Sequence, residues 1–279
     1  MNIKLFMCFH NSYGTVPPLY IPIQCGAANT TAAAGAVADN TGDNISEKNR
    51  EYCELTAHYH AWKNVSADYY GFCHYRRFLG ADIKARYPYI VKGSMSDKER
   101  DRLLGSESYW LDMIPQYDMI VPRSEDMGLP VFEHYTTAAH HYKEDLELFL
   151  QIMKERAPQL NESASEYLAQ DRQYFCNMFI MKKEFFGEYC SILFPVLEEF
   201  DAKKKRHGDF QSDRTDGYLG EIFTGIFIRY CYRRGAVIRE LPRIDVDCSA
   251  KKRAGYLLLP PESKRRFFAK KIVKKMKGN

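Results

Sequence analysis

Along this 279-residue chain, short apolar runs rich in aromatic and β-branched residues alternate with longer stretches whose apolar positions recur every three or four residues. A chain patterned this way folds as an α/β layer structure, because the first kind of segment buries both faces of a strand and the second buries one stripe of a helix. The strand candidates are 3–9, 69–74, 117–121, 174–181 and 236–241. In 51–64, Tyr52, Leu55, Tyr59 and Trp62 give a helix one buried stripe. The run 131–156 carries Tyr135, Tyr142, Leu146, Phe149 and Met153 before Pro158 stops it, and 184–205 and 217–234 are helical in pattern. An Ala-, Thr- and Gly-rich stretch, 24–40, is expected as a surface connection, and a charged stretch, 92–108, as another loop or a short helix over one edge.

Hydrophobic residues at 45% and charged residues at 27% are enough to bury a full core. No run of about 18 apolar residues occurs, which argues against a membrane-spanning helix. The first residues, Met1 to Met7, are expected to form a strand instead of a signal peptide. Eight cysteines scattered through apolar segments, with no Cys-x-x-Cys pair, suit reduced, buried thiols better than a disulfide framework or a zinc site. Both features lead to the expectation of a cytoplasmic protein. Aromatic content is high, with 20 Tyr and 17 Phe; such rings line sugar and base sites, and they equally build cores.

Four segments could carry chemistry. Asp39 to Asn49 has oxygen-bearing side chains at spacing two (Asp39, Thr41, Asp43), the start of a calcium-loop pattern, but the sixth position is Asn44 and the twelfth Arg50, where such a loop needs Gly and Glu. It is either an Asx-rich turn or a polar loop for a ribose or sugar hydroxyls. In Ala67 to Phe78 a buried strand runs straight into His74, Tyr75, Arg76 and Arg77. Ligands in open α/β sheets bind beyond the carboxyl ends of strands, and two guanidiniums there suit a diphosphate. In Asp171 to Met181, Asn177 interrupts an apolar strand, so its amide must bond backbone or a ligand. In Arg214 to Glu221, acids and glycines open a helix, where Glu221 either faces a cleft or complements the helix dipole.

Taken together, Tyr20-Ile-Pro-Ile-Gln24, Asp43-Asn-Ile-Ser46-x-x-Asn49, Tyr52-Cys-Glu-Leu-Thr56, Cys73-His-Tyr-Arg-Arg77 and Asn177-Met-Phe-Ile180 resemble a bacterial family long catalogued as a domain of unknown function. That family includes polysaccharide galactofuranosyltransferases of capsule and O-antigen synthesis. The resemblance runs from the N-terminus to about Arg239. It implies a GT-A-like nucleotide-sugar-binding fold with a central mixed sheet flanked by helices, a UDP-sugar donor (UDP-galactofuranose in the characterised branch) and a lipid-linked glycan acceptor. Two departures are visible. The family commonly has Glu-Arg where this chain has Glu221-Ile222, and 27–38 has no clear counterpart.

On this reading the reaction is an inverting transfer. His10, Asn11, Asp43, Asn44 and Asn49 would hold the nucleotide. His74, Tyr75, Arg76 and Arg77 stand where related folds place a metal-binding Asp-x-Asp, so the guanidiniums would neutralise the leaving UDP without a metal. Asp245-Val246-Asp247 comes too late in the chain to be that motif. Glu221 is the first candidate for general base and Asp171 the second. Asn177, Met178, Arg214 and Gly217 would contact sugar or acceptor. Pairs such as His58/His60 and His140/His141 do not share a helix face and are not expected to bind metal. The alternatives are a Mn2+- or Mg2+-dependent transferase of UDP-galactose or another UDP-hexose, a hydrolase using paired carboxylates, and a basic nucleic-acid-binding protein.

The charge is unevenly spread: from Lys264 onward there are eight Lys or Arg and no acid. At about 100° per residue, Phe268, Ala269, Ile272, Val273 and Met276 gather on one side and the lysines on the other. A 1–250 transferase domain followed by a 251–279 basic amphipathic tail is the expected organisation, with the tail holding the protein on the anionic inner face of the bacterial membrane. No nucleic-acid partner is expected, and the sequence leaves the oligomeric state open.

Overall fold

The computed structural model describes residues 1–81, 84–205 and 214–269. Its strands are β1 (Ile3–Phe9), β2 (Tyr20–Gln24), β3 (Val37–Ala38), β4 (Tyr69–His74), β5 (Arg77–Leu79), β6 (Tyr89–Val91), β7 (Met119–Pro122), β8 (Glu125–Asp126), β9 (Arg172–Gln173), β10 (Phe179–Lys182), β11 (Ile238–Leu241) and β12 (Arg243–Asp245). The helices are α1 (Asn49–Tyr52), α2 (Leu55–Asn64), α3 (Asp97–Leu104), α4 (Glu107–Met113), α5 (Val131–Thr137), α6 (Lys143–Arg156), α7 (Asn161–Ala169), α8 (Lys183–Lys203), α9 (Thr215–Arg233) and α10 (Ala250–Leu258).

The central sheet runs β11-β7-β10-β4-β1-β2-β3, and β5, β12 and β6 extend it from β4. It is mixed: β1 lies parallel to β2 and β4, whereas β10 is antiparallel to β4 and β7. Strand side chains alternate between two cores, as the two-residue period demands. Phe6, Cys8, Phe72 and Phe179 face one core, built with Leu55, Tyr189, Leu193, Phe223 and Phe227 of the long helices. Leu5, Met7, Cys73 and Ile180 face the other, where Trp110, Leu103 and Ile114 cover the sheet. His58 belongs to the first core. Its ring sits 4.0 Å from that of Phe72 and 5.1 Å from that of Phe179, and burial lowers its pKa to about 3, so it packs as a neutral ring.

Three expected elements are broken where the chain must turn. The 51–64 helix splits at Cys53, whose φ is 53°. The 131–156 helix splits before Lys143, with His140 at φ 63°. The expected strand 174–181 is confined to Phe179–Lys182, because Cys176 and Asn177 take φ 79° and 45°. In the 24–40 stretch the carboxylate of Asp39, fully buried, accepts the Gly26 and Ala27 N–H groups and the Ser46 hydroxyl. The 92–108 stretch contains α3, whose N-cap Ser96 accepts the Glu99 N–H. Of the tail, 264–269 is helical; the amphipathic pattern beyond it lies outside the described residues.

Helix packing here leaves little slack at one glycine and ample room at another. On α9, a Cβ at Gly225 would stand 1.9 Å from Cζ of the fully buried Tyr167, whereas on α8 a Cβ at Gly187 would meet nothing within 4 Å. Gly225→Ala is therefore expected to destabilise the fold by about 1–3 kcal/mol in urea melts through overpacking. Gly187→Ala should stabilise it by about 0.5–1 kcal/mol, by helix propensity. Equal midpoints for the two variants would show that the α7–α9 contact is looser than described.

Candidate active site

The sheet register brings one end of several strands together. β1 and β4 finish side by side at Phe9 and His74. β10 runs the other way, and its register of Phe179 opposite Phe72 sets Asn177 beside the end of β4. There the chain stops pairing as a strand, and the left-handed turn at Cys176 and Asn177 directs their polar groups to the helices. The Cys176 N–H donates to Glu221 Oε1 at 3.0 Å. The Asn177 amide donates to Glu54 Oε1 at 2.9 Å and to the Gly217 carbonyl at 3.1 Å, and it accepts from the Thr224 hydroxyl at 3.2 Å. Glu54 immediately precedes α2, and Gly217, Glu221 and Thr224 sit on the first turns of α9. A Cβ at Gly217 would stand 2.9 Å from Cys53 Sγ, so a larger residue there would have to displace that side chain.

Around the two carboxylates stand several cations. Burial raises the Glu221 pKa to about 7 and the neighbouring charge of Glu54 adds to the rise; the Cys176 N–H, Arg77 and Arg243 act against it. Arg77, at the start of β5, is held firmly protonated, chiefly by the Cys176 sulfur and then by Asp245 and Glu221, while burial opposes its charge. Arg214 donates from Nε to Cys53 Sγ at 3.2 Å, and Cys53 is the main reason its pKa rises. Arg243, 7% exposed, bonds Asp245 at 2.8 Å and Glu125 at 2.6 Å. His74 sits among these groups: burial, then Arg77, His10, Arg214 and Arg76, push its pKa down to about 3. It is therefore a neutral imidazole, and its Nδ1 is buried with no partner among the described residues.

Among the residues expected from sequence, the structure brings together His10, His74, Arg77, Asn177, Arg214, Gly217 and Glu221. His10 follows β1 and its carbonyl accepts the Gln24 amide at 3.2 Å; Asn11 is the exposed next residue. Tyr75 packs against His74 with the rings tilted at 37° and their centroids 4.5 Å apart. Arg76 is exposed, with its guanidinium on the Asp247 carbonyl at 2.7 Å. Met178 is a core residue, 1% exposed. Asn49 braces the α1–α2 junction through the Cys53 carbonyl and the Thr56 hydroxyl. Asp43 and Asn44 are not brought to the cluster. Asp43 bonds Tyr59 and Asn64 toward the far end of α2, about 15 Å of helix from Glu54, and Asn44 closes an Asx turn on the Ser46 N–H. Asp171 is exposed beside β9, its carbonyl taking the Met127 N–H. Sequence reasoning did not single out Glu54 or Arg243. An acid directly before a helix start signals the first, and a basic residue in a short late strand is too common a pattern to signal the second.

The Asp-x-Asp at 245–247 does not fit a metal. Asp245 spends one carboxylate oxygen on Arg243 and the other on Lys252, both at 2.8 Å. Glu51, Asp201 and Asp216 lie close enough to share an ion, but Lys204 Nζ already occupies their centre, at 3.3, 2.9 and 2.5 Å.

The family model described as domain of unknown function DUF4422 matches residues 4–232. The chain belongs to the DUF4422 family. The match spans all of the cluster except Arg243 and agrees with the extent of the motif resemblance. The solved apo structure of WbbM, a bifunctional glycosyltransferase, superposes with a TM-score of 0.82 at 29% identity, over 89% of this chain. This DUF4422 chain spans 46% of the length of WbbM. No curated protein matches the sequence. The fold is thus GT-A-like, with the central mixed sheet and flanking helices expected, and the cluster lies at the carboxyl ends of its parallel strands.

The raised pKa of Glu221 has a stability consequence. A carboxyl favoured in its neutral form contributes fully below its ordinary value of 4.5, and that contribution is lost as pH rises through about 7. Glu221→Gln, which keeps the acceptor for Cys176, should melt like the parent near pH 5 and be more stable near pH 8, by on the order of 2 kcal/mol. A pH-independent difference between the two would show that Glu221 titrates as an ordinary surface acid.

Proposed function

We propose that this chain is a glycosyltransferase that moves a hexosyl group, galactofuranose in the first instance, from a UDP-sugar to a lipid-linked polysaccharide acceptor with inversion. The supporting observation is the convergence of Glu221, Glu54, Arg77, Arg214 and Arg243 at the strand ends, with Glu221 held by a backbone N–H and poised near neutral pH. WbbM, described as a bifunctional glycosyltransferase, supports the reaction class.

In this reading the acceptor hydroxyl loses its proton to ionised Glu221 as its oxygen attacks the anomeric carbon from the face opposite UDP. The anomeric C–O bond breaks and its electron pair leaves with the diphosphate, whose growing charge Arg77 and Arg214 stabilise as preorganised donors. Neutral His74 can donate one hydrogen bond to a phosphate or sugar oxygen without adding charge. No step needs a metal. The acceptor, carried on lipid, would place the enzyme peripherally on the inner face of the membrane.

The test is UDP release from UDP-galactofuranose and other UDP-hexoses, with and without a lipid-linked acceptor. Glu221→Gln is expected to lower kcat by 10²–10⁴ with donor affinity nearly unchanged. Arg77→Ala should lose about 10²–10³, and Arg77→Lys should recover little of it, since an ammonium lacks the planar fork of donors. Turnover should persist in excess EDTA. Loss on chelation with recovery in Mn2+ or Mg2+, or full activity in Arg77→Ala, would overturn this mechanism.

A further inference from the structure

One surface of the molecule is not accounted for by the cleft. Leu257, Leu258, Leu259 and Phe268 are 74%, 67%, 39% and 68% exposed, and they crowd into twelve residues. α10 has no buried residue, yet it is firmly seated. Its inner face carries Lys252, which bonds Asp245 at 2.8 Å, and Tyr256, whose hydroxyl donates to the Tyr89 carbonyl at 3.2 Å. With these two inward, the 3.6-residue period turns Lys251, Ala254, Leu257 and Leu258 together toward solvent. The next turn is pinned as well. Glu262 accepts from Arg172 and from the Asp126 N–H, and Arg266 reaches the Tyr89 hydroxyl at 2.9 Å. The leucine ridge is therefore held outward by its own anchors.

The surroundings decide what such a ridge meets. A groove of about 650 Å³ runs beside Leu257, and Arg86, Ser263, Lys264 and Arg265 line it. Its one acid, Glu262, is turned onto Arg172. Apolar side chains that project beyond a rim of cations match the interface of a bilayer, where acyl chains take the leucines and lipid phosphates take the Lys and Arg. A protein interface core is depleted in lysine, and single-stranded nucleic acid is held by aromatic stacking instead of leucines.

We propose that α10 and the helical turn 264–269 form a docking face for an anionic phospholipid surface. The leucine ridge enters the interface and the Arg86–Lys264–Arg265 groove receives a lipid phosphate. This deepens the membrane-peripheral reading above and rests on it. The face also adjoins the candidate active site, since Lys252 and Arg243 share the carboxylate of Asp245, which brings the cleft near acceptors carried on lipid.

The experiment is co-sedimentation of the full chain with vesicles of neutral phosphatidylcholine and of phosphatidylcholine with phosphatidylglycerol, with UDP binding measured in parallel. The parent should bind the anionic vesicles at least tenfold better and lose binding in high salt. Leu257→Ser with Leu258→Ser, at exposed positions that leave the fold intact, should cut that binding at least tenfold. So should Lys264→Glu with Arg265→Glu. UDP binding should be unchanged in both. If either double variant sediments like the parent, or if the parent prefers RNA or its own second copy to vesicles, the docking face is refuted. UDP binding reports on the transferase reading separately, so the two can fail independently.

Discussion

The junction at Cys176 and Asn177 is the interaction on which the site depends. A buried Asn in an apolar segment is costly unless its amide is satisfied, and here protein groups satisfy it on three sides, from Glu54, Gly217 and Thr224. Those partners come from the start of α2 and the first turns of α9, so one side chain fixes two helices against the sheet. The backbone cost of two left-handed non-glycine residues is offset by the bonds that the turn makes possible, and such strain is typical where a chain must present its backbone to a reactive group. Cys176 does so, since its N–H meets Glu221 only because β10 starts late.

Lys204 secures the same helices from outside. Its ammonium, 4% exposed, holds Glu51 of α1, Asp201 of α8 and the fully buried Asp216 of α9. Removing one partner of a buried ion cluster strands charge in a poorly solvating medium, so the cluster resists separation of the helix starts. Glu51 lies three residues before Glu54, and Asp216 five before Glu221. The two carboxylates of the site thus approach each other on helices that are bolted together behind them, which keeps like charges close enough to raise the Glu221 pKa.

What the sequence conveyed follows from which constraints are local. Period and length mark β1, β4, α8 and α9 to within about two residues, because burial acts along a single element. The motif resemblance leads to the right family, and its motifs contain His74, Arg77 and Asn177, which the fold gathers with Glu221 at the strand ends. Arg76 and Arg77 carry equal weight in the sequence for a local reason as well: adjacent residues at a strand end tend to point to opposite sides, and nothing in the sequence tells which side is the cleft. Asp43 and Asn44 read equally as a turn or as ligand groups, because an Asx turn and a binding loop share a composition. Glu54 and Arg243 could not be ranked without the long-range pairing that brings residues 54, 177, 221 and 243 to one place.

In the proposed mechanism, fixed cations take the part that a metal held by an Asp-x-Asp would otherwise play. An acidic motif creates a negative site that a divalent cation must then invert before a diphosphate can approach. Here the fixed cations Arg77, Arg214 and Arg243 surround the carboxylates from the start, and His74 is kept neutral so that it adds donors without adding repulsion. Asp245, the first acid of the Asp-x-Asp, is bound on both oxygens by Arg243 and Lys252. Releasing it to bind a metal would leave a buried guanidinium uncompensated. The same pairing that closes a metal site therefore sustains the positive field that a diphosphate would meet.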